Sequence, residues 1–321
     1  GETGTSRRRF LGTFGRWAGG AALLPAVTRA APPPARPPNV LLIMTDDQGA
    51  WDVNCYGARD LHTPNLDALA ARGVRFRQFY VGSPVCSPSR ACLLTGRYPQ
   101  RAGLPRNAGT RGMPAEQVTI AEMLKDAGYR TAMFGKWHLG EVPEERPNPQ
   151  GFDEFLGLRL GCIDNSSHYF YWSGPNRHDL WKNGEEHFEP GTYFPDIVVR
   201  EATRFIEENR QRPFFLYLPF NTPHYPMQAE QRFVRMYADM DDPDRKRYAA
   251  FVTSTDDKIG RVIDRIDGLG LRENTLIVFL SDNGHSVEER AFGGGGSAGP
   301  YRGHKFTLWE GGIRLPGIVS W

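Results

Sequence analysis

Cysteine is scarce in this chain. Four residues of 321, Cys55, Cys86, Cys92 and Cys162, are too few for a disulfide framework, although a single bridge stays open. No pairing of cysteines with histidines at ligand spacing suggests structural zinc. Charge of one sign is missing too: 39 basic against 37 acidic residues leave a net charge of +2, which gives no reason to expect nucleic acid or an anionic membrane as partner. No apolar run is long enough to span a bilayer, so stable membrane association is not expected. From residue 39 onward there is no internal repeat or long low-complexity tract. The run GGGGSAG (293 to 299) lacks the Lys-Ser/Thr ending of a phosphate loop and is expected to be a mobile lid or linker.

What is present reads as a soluble globular protein, 40% hydrophobic and 24% charged, long enough to bury a large core. Its first residues differ from the rest. SRRRFLG (6 to 12), the short apolar AGGAALLPA (18 to 26) and the stiff APPPARPP (31 to 38) follow the order of basic, apolar and small residues of a bacterial twin-arginine export signal. Residues 1–38 are therefore expected to be an export signal and linker directing the protein to the periplasm or medium, and residues 39–321 the folded domain.

In that second part, short apolar runs alternate with helical patterns. NVLLIMT (39 to 45) has the continuous hydrophobicity of a strand covered on both faces. TPNLDALAARG (63 to 73) reads as a helix with Thr63 at its N-cap and Pro64 in its first turn, and TIAEMLKDAG (119 to 128) repeats that grammar before the strand YRTAMF (129 to 134). A helix over 196–209 precedes the strand PFFLYLPF (213 to 220), and a long one over 246–267 precedes TLIVFL (275 to 280). The fold class expected is α/β, a large, mainly parallel sheet with helices on both faces.

Each strand is followed by residues that carry chemistry. Asp46 and Asp47 follow the first strand, Lys136 and His138 the second, His224 the third, and Asp282 and Asn283 the fourth. Ligands of open α/β sheets bind beyond the carboxyl ends of the strands, so these residues are expected to converge. Asp46, Asp47, Asp282 and Asn283 are hard oxygen donors suited to Ca²⁺ or Mg²⁺, with Ca²⁺ more tolerant of donors from separate loops. Arg90, Lys136, His138, His224 and Lys305 add positive charge and proton-transfer groups, a combination suited to a sulfate or phosphate ester.

VCSPSRACLLTGR (85 to 97) reads as a helix start, with Ser87 as N-cap, Pro88 in the first turn and Gly96 at the end. Cys86 would sit just outside that N-terminus, either as a reactive group near Arg90 or as a small buried hydrophobe.

CSPSRACLLTGR (86 to 97) resembles the C-x-P-S-R-x-x-L-L-T-G-R motif of the type I, formylglycine-dependent sulfatases of the alkaline phosphatase superfamily. The resemblance extends over TDDQG (45 to 49), GKWHLG (135 to 140), TPH (222 to 224), SDNGH (281 to 285) and GHKFTLWEGGIRLPG (303 to 317). It implies that a maturation enzyme, reading Pro88 and Arg90, oxidises Cys86 to Cα-formylglycine, whose hydrate attacks sulfur to give a sulfate hemiacetal. It further implies that Asp46, Asp47, Asp282 and Asn283 bind Ca²⁺ with an oxygen of residue 86, and that Arg90 and Lys136 stabilise the diolate. His138 would orient it and later deprotonate it, while His224 and Lys305 hold the sulfate and help protonate the leaving oxygen. The expected activity is hydrolysis of sulfate esters on a small molecule or glycan. A phosphomonoester or phosphonate monoester hydrolase of the same superfamily, and a non-catalytic binder of sulfated glycans, are the alternatives.

Around RLGCIDNSSHYFYW (159 to 172), where such enzymes vary with substrate, Asn165 and His168 are candidates to reach a sugar or aryl group, or belong to an ordinary polar loop. The resemblance implies a smaller C-terminal domain beyond residue 321, which this chain is expected to lack through a C-terminal truncation. Sheet edge and apolar surface are therefore expected to be exposed and the chain to aggregate, an expectation that a monodisperse, cooperatively melting sample would overturn.

Overall fold

A computed structural model describes residues 36–172 and 174–321, so the expected export signal lies, up to residue 35, outside the described residues. The apolar runs found in the sequence form the middle of a nine-stranded sheet. Its members in chain order are β1 (Asn39–Thr45), β2 (Val74–Arg75), β3 (Arg130–Lys136), β4 (Glu154–Leu158), β5 (Trp181–Lys182), β6 (Glu185–Glu186), β7 (Phe214–Pro219), β8 (Thr275–Ser281) and β9 (Gly317–Ser320). The spatial order is β2-β9-β8-β1-β7-β3-β4-β5-β6. β8, β1, β7, β3 and β4 run parallel, and antiparallel strands close both flanks.

Alternation along β1 decides what packs on each face. Leu41 and Ile43 join a core with Leu66 and Leu69 of α1 (Pro64–Ala71), Phe205 of α4 (Phe194–Glu208) and Ile259 of α5 (Pro243–Gly268). Leu42 and Met44 face the other way, against Ala91 and Leu94 of α2 (Cys86–Thr95) and Ala121 of α3 (Ile120–Asp126). A strand with apolar residues at both parities is thus covered twice, as parallel sheets require. The expected α/β architecture with helices on both faces is what the chain adopts.

Helix boundaries needed correction in three places. α4 begins at Phe194, two residues early, because Pro195 fits its first turn, and α5 begins at Pro243, where the Asp242 carboxylate accepts from the Asp244 and Arg245 N–H groups at 2.9 and 3.1 Å. α2 starts at Cys86 rather than at Pro88, and its N-cap is Val85. The Ser87 hydroxyl does not cap the helix; it accepts from the Ala108 N–H at 3.0 Å. Pro88 is tolerated there because its missing N–H falls in the first turn, where the helix offers no partner. The GGGGSAG segment is tied down and is no free lid: Ser297 N–H donates to Asp52 at 2.8 Å and the Gly295 carbonyl accepts from Arg245 at 2.9 Å. All four cysteines are free. No helix among the described residues is long and apolar enough to cross a membrane.

Candidate active site

The parallel pairing carries on past the strand ends and draws the loops together. Asp46 N–H donates to the Thr222 carbonyl at 3.0 Å, and Asp282 N–H to the Thr45 carbonyl at 3.1 Å, so the residues following β1, β7 and β8 lie side by side. Gly135 makes the approach of β3 possible: with φ at +137°, a Cβ there would stand 2.0 Å from the Pro219 carbonyl oxygen of β7. Lys136, the last residue of β3, is thereby delivered to the site rather than following the strand as expected.

At the centre is Asp46, fully buried. Its Oδ2 accepts from Lys136 Nζ at 2.6 Å, and its Oδ1 lies 3.4 Å from an Arg90 nitrogen and 3.7 Å from Cys86 Sγ. Burial alone would push this carboxyl up, but the Lys136 and Arg90 cations outweigh it and hold it below the usual range. Arg90, itself wholly buried, donates through Nε and Nη2 to Asp282 Oδ2 at 3.1 and 2.8 Å and through Nη1 to the Lys136 carbonyl at 3.1 Å. Asp282 Oδ1 accepts the Asp47 N–H at 3.1 Å.

Asp47 carries the opposite perturbation. Burial, reinforced by Asp46 and Asp282, pushes its carboxyl up to about 7 despite the Lys305 ammonium 2.8 Å from Oδ2. His224 Nδ1 stands 2.6 Å from the Tyr225 carbonyl oxygen, which assigns the proton to Nδ1 and turns Nε2 toward Asp47 Oδ2 at 3.5 Å. Burial and the nearby cations push both His138 and His224 well below the ordinary imidazole range, so each is neutral at neutral pH. His138 Nδ1 is buried without a hydrogen-bond partner among the described residues. Asp47 and His138 have φ of 59° and 56°, left-handed values that cost a non-glycine residue about 1–3 kcal/mol and gather at functional sites.

The oxygen donors here, from Asp46, Asp47, Asp282 and Asn283, suit a hard divalent cation; the Cys86 sulfur and His224 nitrogen beside them do not. One ligand atom each from Asp46, Asp47, Cys86 and His224 lie within 4.8 Å of one another. Asp282 falls outside that group, its oxygens taken by Arg90 and the Asp47 N–H. Asn283 donates through Nδ2 to Asp47 Oδ1 at 2.7 Å, which leaves its buried Oδ1 without a partner. An orphaned amide oxygen beside a carboxyl that burial has raised is a site where added positive charge is favourable.

Above the cluster opens a cavity of about 500 Å³, with Cys86, His138, His224 and Lys305 among its lining residues. Burial pushes the Cys86 thiol well above its ordinary range, so the unmodified side chain is a protonated thiol and a poor nucleophile. The structure therefore brings Cys86, Arg90, Lys136, His138, His224, Lys305, Asp46, Asp47, Asp282 and Asn283 to one place. It does not bring Asn165 or His168 to the cavity. Asn165 is buried against Gln228 and Asn221, and His168 Nε2 lies 2.9 Å from the Thr192 carbonyl oxygen, so both hold their own loop together. The segment 159 to 172 does line the cavity, through Leu160, Gly161, Cys162, Phe170 and Trp172; the walls that sequence reasoning missed come from Asn107, Glu141, Arg177, Tyr225 and Arg290, of which Glu141, after GKWHLG, and Tyr225, after TPH, adjoin a motif.

Comparison with known proteins agrees with this geometry. Residues 38–321 match the family model described as Sulfatase. The chain is 38% identical over 312 residues to N-acetylgalactosamine-6-sulfatase of Homo sapiens, covering 89% of this chain and 57% of that protein, and 35% identical over 370 residues to the steryl-sulfatase of Rattus norvegicus, covering 89% and 63%. It thus spans somewhat over half the length of these relatives. Among solved structures, Ps i-CgsB in complex with k-i-k-neocarrahexaose superposes with a TM-score of 0.81 at 36% identity, over 89% of this chain and 66% of that one. The phosphonate monoester hydrolase of Agrobacterium radiobacter, 20% identical with a TM-score of 0.63 over 88% and 68%, shares the fold.

Proposed function

Because this chain belongs to the sulfatase family, we propose that it hydrolyses sulfate esters to an alcohol and inorganic sulfate, with Cys86 as the precursor of a formylglycine and Ca²⁺ held by Asp46, Asp47, Asp282 and Asn283. The observation that carries the reading is Cys86 itself, lining the cavity at the start of α2 and 3.7 Å from Asp46, among three buried cations, Arg90, Lys136 and Lys305, and two neutral imidazoles. When present, the aldehyde hydrate and the metal supply an oxygen nucleophile and a divalent positive charge at the ester. The rest falls to the chain's own side chains. Arg90 and Lys136 set positive charge beside residue 86, where negative charge builds during attack. His138, neutral and unpartnered at Nδ1, can take the proton from a hydroxyl on residue 86 so that sulfate leaves. Lys305 and His224 line the cavity on the Asp47 side; the Lys305 ammonium can hold the sulfate and protonate the departing oxygen, and His224 can help only once a proton reaches its Nε2.

Cys86, Ser87, Pro88, Ser89 and Arg90 are all buried, so a maturation enzyme that reads them must act before this segment folds. In the twin-arginine reading of the first residues, oxidation and folding both occur in the cytoplasm, ahead of export. A reporter fused to residues 1–38 that stays in the cytoplasm would refute that part.

The name N-acetylgalactosamine-6-sulfatase and the neocarrahexaose complex support a sulfated glycan as the substrate class, while steryl-sulfatase names a sterol ester as the rival. Protein co-expressed with a formylglycine-generating enzyme should turn over an aryl sulfate and lose this activity in Cys86→Ala, and should favour it over the matching aryl phosphate. Preference for the phosphate would favour the phosphoester rival, and binding of sulfated sugar without turnover the non-catalytic one.

A further inference from the structure

Two charged residues on the cavity wall have no part in the chemistry at Cys86. We propose that Arg177 and Arg290 form a second anion subsite there, so that the preferred substrate is a saccharide with another negative group besides the ester that is cleaved. The proposal rests on reading the cavity as a sulfate-ester site.

Each guanidinium is fixed by a carboxylate yet keeps donors to spare. Arg290 places Nε and Nη2 on Glu288 Oε1 at 2.8 and 2.5 Å, and its guanidinium lies 5.3 Å from the centre of the Tyr225 ring. Arg177 places Nη2 on Glu141 Oε2 at 2.8 Å. Nη1 of Arg290, and Nε and Nη1 of Arg177, have no hydrogen-bond partner among the described residues. The side chains are 52% and 48% exposed, open enough for a ligand to reach. A fork already held in one orientation loses less conformational freedom when it meets an anion, which is the advantage of arginine over lysine at such a site.

Exposed arginines usually do no more than face water. These two line the same cavity as Cys86, where, among the described residues, Glu141 is the one carboxylate against Arg177, Arg290 and Lys305. The wall beside them suits a sugar. The half-buried Trp172 ring, backed by the buried Tyr225 ring 4.9 Å away and tilted by 32°, can meet the apolar face of a pyranose, with guanidinium donors at hand for its anionic substituents. An uncharged polycyclic alcohol sulfate would instead strip water from both guanidiniums and return nothing, which disfavours it.

The test uses two saccharides of one skeleton, monosulfated and disulfated. Affinity is measured by calorimetry and kcat/KM by sulfate release, in the formylglycine-bearing protein and in Arg290→Met, Arg177→Met and Arg290→Lys. One charge-assisted contact at a half-exposed site predicts a preference for the disulfated sugar of about tenfold, reduced to about twofold in either methionine variant and partly restored by lysine. Equal handling of the two sugars by the unmutated protein, or a preference that survives both methionine substitutions, overturns the subsite. Preference in binding with no turnover of either sugar would keep the subsite and overturn the hydrolase reading; turnover without preference would do the reverse.

Discussion

Replacing Arg90 with methionine is expected to destabilise the folded chain by about 3–5 kcal/mol, the range for removing one partner from a buried ion pair. The guanidinium has no solvent contact, and neither do Asp46 and Asp282 beside it. Methionine fills similar space, so packing changes little and the penalty is electrostatic. Asp282 Oδ2 loses both of its donors, at 2.8 and 3.1 Å, and the Lys136 carbonyl loses its Nη1 contact at 3.1 Å. Arg90→Lys keeps the charge, but one ammonium cannot reach all these acceptors, so about half the penalty should remain. Urea denaturation in the presence of a chelator, followed by tryptophan fluorescence, measures the change as a shift of midpoint at constant slope. Acid should shrink the difference. Burial and the Asp46 charge already push the Asp282 carboxyl up against the pull of Arg90, and a protonated Asp282 no longer needs a counter-charge. A change under about 1 kcal/mol at neutral pH, or a penalty that grows in acid, would refute the electrostatic account of this cluster.

Three further outcomes follow from the same geometry. Calcium at about a hundredfold excess over its dissociation constant should raise stability by about 2.7 kcal/mol, an effect that chelator reverses and that Asn283→Ala weakens; a melting temperature indifferent to Ca²⁺ would remove the metal assignment. His138 and His224 stay neutral in the folded chain well below the ordinary imidazole range, so below about pH 6.5 the unfolded chain binds more protons and stability rises with pH through that window. The slope of the urea midpoint against pH should flatten in a His138→Gln, His224→Gln double variant, and the acidic limb of kcat in the unmutated protein should lie below about pH 6.5; a limb above that value would contradict the neutral assignment. Gly135→Ala should cost about 2 kcal/mol or more, since φ is +137° and its Cβ would meet the Pro219 carbonyl at 2.0 Å; a neutral change would show that β3 and β7 can separate.

How far the sequence led depended on how local the determining physics was. The buried strands were legible because NVLLIMT and PFFLYLPF are apolar at both parities, Asp46 and Asp282 because they directly follow such strands, and His224 because it lies in the loop just after one. The start of α2 was not, because the Ser87 hydroxyl serves a loop 21 residues away rather than its own helix. His168 and Asn165 carried the right chemistry for a binding loop but spend it on Thr192, Gln228 and Asn221, choices set by tertiary packing. Arg177 and Arg290 belong to no motif, and only the folded chain places them on the cavity that Cys86 lines. The glycine run looked mobile in isolation but is held by Asp52 and Arg245 from distant segments.

The most direct test of the account joins mass spectrometry of the tryptic peptide from Gln78 to Arg90 with turnover of a sulfate ester by the same sample, made with a formylglycine-generating enzyme. The account predicts that the Cys86 thiol is replaced by an aldehyde or its hydrate and that sulfate release scales with the modified fraction. An intact, alkylatable thiol in folded protein that still releases sulfate, or full conversion to the aldehyde without release from any sulfate ester, would contradict it.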